Sequence, residues 1–432
     1  MNILFITPGT GSYYCGVCMR DNALVTALRQ LGHNAKMLPI YLPIMTDEES
    51  VSGEMPIFFG GINVYLQQKF SFFRHTPTWV DKIFNNRSLL RLASHRSDMT
   101  EGAELGSMTV SMLEGETGRQ SKEITKLVTW LRNEESPDII CLSTALQVGM
   151  ARRIKEALDV PVICFFQGED SFLDALDNPY SDKAWMTLRE RAEDIDFFIA
   201  PSAYFANLMK QRLQLDENNM RVVPNGINLE GYASSVEVPY PPVIGFLSRM
   251  MENKGMDLLV DAFILLKKRE TAKQCKLSIA GAVTAKDKQF IETQKAKLKS
   301  AGLSSEVEFH PNLDRQRKIE FLKKLSLFSV PAKYGEAFGL YLLEAMAAGV
   351  PVVQPRHAAF PELIESTGGG RLYEPNDPES LADSWEDILA NPEEARSIGL
   401  RGRQSVIEKY SIHDMAKTIE LTCRKLVQLT ES

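Results

Sequence analysis

The chain has 432 residues, of which 44% are hydrophobic and 24% charged, as in ordinary globular proteins. This length exceeds what one hydrophobic core usually fills, so we expect two domains. Acidic residues outnumber basic ones by 56 to 49, which gives a net charge of −7 and excludes a global attraction to nucleic acid. The six scattered cysteines do not form a disulfide framework, and we expect reduced thiols. The short apolar run at the N-terminus and the lack of long apolar stretches predict a cytoplasmic protein.

The first half of the chain alternates short apolar runs with helical patterns. Residues 2–7, NILFIT, lead through a Gly-rich loop into a helix-period stretch that closes at Gly32. The runs DIICLS, VPVICFF and FFIAPS are each followed by a helical pattern. Such alternation predicts a parallel sheet with crossover helices.

The same alternation restarts near residue 240 with the runs PPVIGFLS, KLSIAGA, EVEFHP, LFSVPA and VPVVQP. The prolines of VEVPYPPV cannot continue a helix and mark a linker. We therefore predict an α/β protein of two doubly wound domains, residues 1–238 and 239–410. A final amphipathic helix is predicted within 411–432.

The first loop invites comparison with a dinucleotide fingerprint, because Gly9 and Gly11 follow a strand. Tyr14 stands at the third glycine position, and the second strand, AKMLPIYLPI, has no terminal acid to bind a ribose. A dinucleotide-dependent oxidoreductase is thus the weaker of our alternatives.

Cys15 and Cys18 form a Cys-x-x-Cys at a helix start, where a thiolate is favoured. A zinc site would need a second paired motif, which is absent from the sequence. The alternatives are a redox role and simple packing of small side chains near a ligand.

Two acids stand out in residues 331–353, PAKYGEAFGLYLLEAMAAGVPVV. Glu336 lies in a glycine-flanked loop and Glu344 inside the next helix, roughly 12 Å apart if the span were helical. Gly339 permits close backbone approach, and the helix start attracts anions such as a diphosphate. Acids on both sides would hold sugar hydroxyls, as in a nucleotide-sugar cradle. The alternative is a core helix with Leu340 buried and Glu344 solvated.

Arg249 and Lys254 follow the predicted strand VIGFLS. Both could neutralise a leaving diphosphate, a role that metal ions fill elsewhere, so no metal is required. The alternative is a surface charge pair beside a helix start.

These segments resemble retaining glycosyltransferases of the GT-B fold, family 4. The resemblance is carried by the spacing of Glu336 and Glu344, by GFLSRMMENKGMDLLVDAF at 245–263, by VVPNGIN at 222–228 and by LVTALRQLGH at 24–33. It implies two Rossmann-like domains facing each other across a cleft. In that family the first domain binds the acceptor, the second binds the donor, and the final helix packs back onto the first.

The resemblance also implies transfer of a hexosyl group from a nucleoside diphosphate sugar to a hydroxyl, with retention at the anomeric carbon. Glu336 would orient the donor sugar and Glu344 would hold the ribose. Arg249 and Lys254 would stabilise the departing diphosphate, without a metal or other cofactor.

Five further positions follow from the resemblance. Gly16 would let the first loop approach the donor phosphates, and Leu313 would pack against the base. Gln167 stands where many family members carry a histidine; its amide can bind a sugar hydroxyl but cannot act as a base. Glu169 and Asp170 are candidate acceptor contacts, with loop capping as the alternative.

Two questions stay open at this level. The changed first loop and Gln167 leave open the alternative that the chain is a catalytically silent nucleotide-sugar binding protein. Residues 69–96 interleave aromatic and basic side chains, which suits peripheral contact with the inner face of a membrane or a lipid-linked acceptor, or else ordinary core packing.

Overall fold

The computed structural model describes residues 1–9, 14–53, 55–74, 102–233 and 239–431. The chain forms two compact units, one of Met1–Pro224 with His413–Ser432 and the other of Asn225–Ile412. The division lies at Pro224, upstream of the boundary that we placed after residue 238. The segment that follows Pro224 therefore belongs to the second unit.

The first unit contains a six-stranded parallel sheet in the order β2-β1-β3-β4-β5-β6. Its strands are β1 (Asn2–Thr7), β2 (Asn34–Pro39), β3 (Ile139–Leu142), β4 (Val162–Phe165), β5 (Phe197–Ala200) and β6 (Met220–Val222). In the part of the chain that the structure describes, its first eight α-helices are α1 (Gly16–Gln30), α2 (Gly61–Lys69), α3 (Gly102–Leu113), α4 (Ser121–Trp130), α5 (Ala151–Leu158), α6 (Glu169–Asp174), α7 (Tyr180–Ala192) and α8 (Ala203–Leu213).

The second unit contains another six-stranded parallel sheet, in the order β12-β11-β10-β7-β8-β9. Its strands are β7 (Val243–Leu247), β8 (Lys276–Gly281), β9 (Val307–Pro311), β10 (Leu327–Phe328), β11 (Val352–Pro355) and β12 (Gly370–Tyr373). Its helices are α9 (Met256–Leu266), α10 (Asp287–Ser300), α11 (Arg315–Lys323), α12 (Leu340–Ala347), α13 (Phe360–Thr367), α14 (Pro378–Leu389) and α15 (Pro392–Lys409). The prediction of two doubly wound α/β sheets is confirmed.

The last helix, α16 (Ile412–Glu431), returns the chain to the first unit. There His33 Nε2 lies 3.1 Å from Glu420 Oε1, and the buried thiol of Cys423 contacts that of Cys141. Among the residues that the structure describes, no helix is long and apolar enough to cross a membrane. Most of the aromatic and basic segment 69–96 lies outside the described residues, so its membrane contact stays a prediction.

Hydrophobic burial and helix capping explain why these residues form these elements. All four residues of β3 and of β4 are buried, as expected for parallel strands covered on both faces. Side chains at helix starts accept backbone hydrogen bonds, such as Asp314 from the Arg317 N–H and Asp377 from the Ser380 N–H. Local sequence and sheet packing therefore favour the same boundaries.

The loops after β7 and β10 meet at the point where the strand order of the second sheet reverses. Gly255 ends the first loop at a φ of +72°, and a Cβ there would lie 1.8 Å from the Pro331 carbonyl oxygen of the second. The Lys333 N–H also donates to the Asn253 carbonyl at 3.0 Å. Ligands of doubly wound sheets bind at such switch points, so this contact shapes the candidate site.

Gly255→Ala tests this close approach, with Gly302→Ala as its control. Gly302 has a similar φ of +74° but nothing near its missing side chain, so its substitution should lower the free energy of unfolding by only about 1 kcal/mol. Gly255→Ala should cost about 1–3 kcal/mol more, because the Pro331 carbonyl must move. Urea denaturation of both variants measures the difference. Equal losses would show that the loop contact is unimportant.

Candidate functional site

Four loops of the second unit carry polar side chains just beyond the carboxyl ends of their strands. Arg249 follows β7, Thr284 follows β8, Glu336 lies between β10 and α12, and His357 follows β11. Because all strands of this sheet are parallel, these loops share one edge. They form the candidate site.

Lys254 and Glu336, both predicted site residues, form an ion pair between Nζ and Oε1. Their side chains are 28% and 17% exposed, so the pair is partly screened from water. The tight contact of Gly255 with Pro331 explains how the two loops come close enough. The structure thus brings together two residues separated by more than eighty positions in sequence.

Two further side chains lie beside Glu336. Burial and then the Glu336 charge raise the pKa of Tyr341, so its phenol stays protonated at neutral pH. Burial lowers the pKa of His357, against the opposing influence of Glu336, and its ring stacks on Phe360 at 5.9 Å between centroids. Glu336 is therefore flanked by a neutral phenol and a neutral imidazole, which can donate hydrogen bonds without adding charge. Sequence reasoning missed both.

Glu344 is bound on two sides. Lys318 Nζ lies 2.5 Å from Glu344 Oε1, and the Tyr232 hydroxyl donates to the same oxygen at 3.2 Å. The Arg315 guanidinium lies 5.5 Å from the centre of the Tyr232 ring and donates to the Glu230 carbonyl at 2.9 Å. The alternative of a solvated Glu344 on a core helix does not describe this arrangement.

Arg249 is held by a bidentate ion pair. Its Nε and Nη2 lie 3.0 and 3.2 Å from the two carboxylate oxygens of Asp287, and Nη2 donates to Thr284 Oγ1 at 3.0 Å. Asp287 is buried and begins α10. Sequence reasoning missed Asp287 and Thr284, although an acid at a helix start after a strand ending in glycine was visible in the sequence.

Gly339 and Leu340 form the start of α12. Gly339 has a φ of +98° and caps the helix without a side chain, so the first N–H groups of α12 have no side-chain acceptor at the cap. Leu340 is half-buried, as is Leu313, which packs against the core between β9 and α11. An anion could bind the helix start, and both leucines offer apolar surface.

The predicted residues of the first unit form a separate group. Gly16 is exposed and begins α1. Gln167 follows β4, and its Nε2 is buried without a hydrogen-bond partner. Its amide therefore has a donor available at the carboxyl edge of the first sheet.

Glu169 is a loop-capping residue in this structure. Its carboxylate accepts hydrogen bonds from Thr144 Oγ1 at 2.7 Å and from the N–H groups of Ala145, Gln167 and Gly168 at 2.9, 2.9 and 3.1 Å. With both oxygens used and the residue only 3% exposed, it joins the loops after β3 and β4. The prediction that Glu169 contacts an acceptor gives way to the capping alternative.

Asp170 differs from its neighbour. Burial raises its pKa to about 6, and Oδ1 is buried without a hydrogen-bond partner. It also lies near Tyr204. The pKa of Tyr204 is raised by burial and, less strongly, by the Asp170 charge. A half-buried carboxyl with a perturbed pKa at a strand end is the kind of group found at functional sites. Asp170 stays a candidate acceptor contact.

A metal was not predicted for either unit. Within the described ranges, no group of three or more His, Cys, Asp and Glu side chains is placed to hold a metal ion.

Two Rossmann-like units, each with a six-stranded parallel sheet, place the protein in the GT-B fold class. Residues 233–405 match the family model described as glycosyl transferases group 1, and residues 91–230 match that of glycosyltransferase family 4. The chain belongs to the glycosyltransferases that these two models describe.

Curated and solved relatives agree with this placement. The chain is 26% identical over 217 residues to D-inositol 3-phosphate glycosyltransferase of Nocardia farcinica, and the match covers 48% of each protein. It thus spans about half the length of the curated relatives that it matches.

Two solved structures share the fold over nearly the whole chain. Sucrose-phosphate synthase from Thermosynechococcus elongatus has a TM-score of 0.73 at 18% identity, with 99% of both chains covered. Anabaena HepE in complex with UDP has a TM-score of 0.68 at 16% identity, covering 99% of this chain and 100% of that one. These identities show the fold alone.

Asp170→Asn tests the perturbed carboxyl. Folding raises the pKa of Asp170 from 3.8 to about 6. The protonated carboxyl therefore adds to the free energy of unfolding below pH 4, and this contribution is lost as the pH rises through 6 and the half-buried group ionises. Asp170→Asn should therefore melt at a higher temperature than the parent at pH 7.5, with the gain vanishing near pH 4. Asp177→Asn, at a nearby exposed position, is the control. A gain independent of pH would contradict the assignment.

Proposed function

We propose that this protein transfers a hexosyl group from a nucleoside diphosphate sugar to a hydroxyl acceptor, with retention of anomeric configuration. The observation that carries the proposal is the Lys254–Glu336 pair beside the start of α12, at the switch point of the second sheet. Family membership supports the reaction class, and the charge arrangement supports the roles of the residues.

The donor diphosphate would bind at the start of α12. Helix N–H groups and the helix dipole favour an anion there, and Lys254 adds a full positive charge. A bound phosphate competes with Glu336 for the Lys254 ammonium. Binding would thus release the Glu336 carboxylate to accept hydrogen bonds from the donor sugar.

The ribose would bind at Glu344. A carboxylate can accept hydrogen bonds from both ribose hydroxyls, and Lys318 and Tyr232 hold Glu344 in one position. Such preorganisation reduces the entropy lost on binding. The half-buried Leu313 and Leu340 are the candidate apolar contacts in this unit.

Catalysis would rest on electrostatics. As the bond to the leaving diphosphate breaks, negative charge grows near Lys254 and Arg249 while positive charge grows on the sugar near Glu336. The departing phosphate can accept the proton of the acceptor hydroxyl, so a histidine in place of Gln167 is not needed. Because protein cations supply the positive field, the proposed reaction needs no metal ion.

Glu336→Gln tests the catalytic role. Loss of the carboxylate charge should lower turnover about 10²-fold, because the positive charge on the sugar loses its counter-charge. Turnover is measured as nucleotide release with the donor sugar identified by screening. Glu365→Gln, exposed on α13, should leave turnover unchanged. Equal activity of Glu336→Gln and the parent would remove Glu336 from the mechanism.

Glu344→Gln tests nucleotide binding. UDP, GDP and ADP are first compared by the rise in melting temperature, since a ligand of the folded state stabilises it. For the nucleotide that binds, Glu344→Gln should weaken affinity about 10-fold through loss of charge-assisted hydrogen bonds. The loss should shrink with the 2′-deoxynucleotide, which lacks one of the bonded hydroxyls. The same loss for both nucleotides would place the ribose elsewhere.

A further inference from the structure

The cysteines of this chain fall into two classes. All six are free thiols, and five of them are buried: Cys18, Cys141, Cys164, Cys275 and Cys423. Cys15 alone is half-buried, and it directly precedes α1, whose first turn contains Cys18. The half-buried thiol and a buried one therefore lie at positions i and i+3 of a helix start.

The two thiols at the start of α1 interact. Cys15 has an extended backbone, with a φ of −114° and a ψ of 130°, at the N-cap position. A hydrogen bond with the Cys18 thiol, aided by the backbone N–H groups of Cys18 and Val17, lowers the pKa of Cys15 to about 7. The interaction of the Cys18 thiol with Cys15, together with burial of Cys18, raises the pKa of Cys18. One thiol is thus half-buried and partly ionised at neutral pH, and the other is buried and stays protonated.

A second thiol pair in the same unit shows what packing alone produces. Cys141 on β3 contacts Cys423 on α16, and both are buried. Burial raises the pKa of Cys141 well above its usual value, so this thiol is a poor nucleophile. Cys15 differs from both of these thiols, because it is half-buried and its pKa is lowered.

We propose that Cys15 and Cys18 are a reversible dithiol–disulfide couple that exchanges with a low-molecular-weight disulfide of the glutathione class. The Cys15 thiolate attacks one sulfur of that disulfide and releases a thiolate, leaving a mixed disulfide on Cys15. Cys18 then loses its proton to water and attacks Cys15 Sγ, releasing the second thiolate. The two protein thiols give up two electrons, and the small disulfide is reduced to two thiols.

The couple lies next to a buried polar network that fixes α1. Arg20 pairs with Asp21 at 2.7 Å, and Asp21 accepts hydrogen bonds from Thr7 on β1 and Ser143 after β3. A disulfide between Cys15 and Cys18 would tie the residue before α1 to the helix that this network anchors. Oxidation would therefore restrict the chain at the carboxyl edge of the first sheet.

Trypsin isolates the couple for a direct test. The first Lys or Arg of the chain is Arg20, so the tryptic peptide of residues 1–20 contains Cys15 and Cys18 and no other cysteine. Native protein is incubated with glutathione disulfide, alkylated, digested and weighed by mass spectrometry. We expect residues 1–20 to lose two hydrogens and resist alkylation, while the peptide of residues 133–152, which carries Cys141, keeps its free thiol. A persistent dithiol, or stable glutathione on Cys15 in the parent protein, would overturn the proposal.

Two variants separate the roles of the thiols. Cys18→Ser should trap glutathione on Cys15, because no second thiol can displace it. Cys15→Ser should remain unmodified, because Cys18 is buried. In the parent protein, the rate of reaction with glutathione disulfide should rise with pH to a midpoint near 7. Circular dichroism checks that both variants fold, and modification of folded Cys15→Ser at Cys18 would contradict the assigned order of attack.

Discussion

The candidate site depends on one steric constraint, the absence of a side chain at Gly255. The Pro331 carbonyl occupies the space where a Cβ would lie, and this brings the loop after β7 against the loop after β10. Lys254 precedes Gly255 by one residue and Glu336 follows Pro331 by five, so the backbone contact sets the distance between their charges. The Lys254–Glu336 ion pair thus joins the loops that follow β7 and β10, which are neighbouring strands of the sheet.

Three cations of the second unit described above have carboxylate partners. Arg249 pairs with Asp287, Lys254 with Glu336, and Lys318 with Glu344. The first pair has bidentate geometry and a buried acid, which fixes the guanidinium. The second is the more exposed of the two pairs that involve a predicted carboxylate, so solvent weakens it more. The site thus combines one bidentate pair on a buried acid with a second pair that water reaches more readily.

The sequence patterns predicted most of the architecture, because ten of the twelve strands that the structure describes coincide with short apolar runs. They missed β6, MRV, and β12, GRLY, which are not such runs. The same patterns placed Arg249 and Glu336 on strand-end loops, where the structure has them. They did not reveal Asp287, whose role comes from a contact across two loops, nor the full use of the Glu169 carboxylate by backbone N–H groups. The predicted boundary lies at prolines, which signal where a helix cannot continue, whereas the two compact units divide at Pro224, where contacts between residues change.

Residues Asn225–Ile412 form one unbroken stretch of chain, and its two ends lie side by side. Ile227 pairs with Ser411 in a parallel bridge. The Ile227 N–H donates to the Tyr410 carbonyl at 3.0 Å, and the Ile412 N–H donates to the Ile227 carbonyl at 2.9 Å. Adjacent termini are what make a protein module transferable, since joining or cutting them leaves the interior undisturbed. This stretch is accordingly suited to excision as an independent fragment or to circular permutation, with new termini placed in an exposed turn.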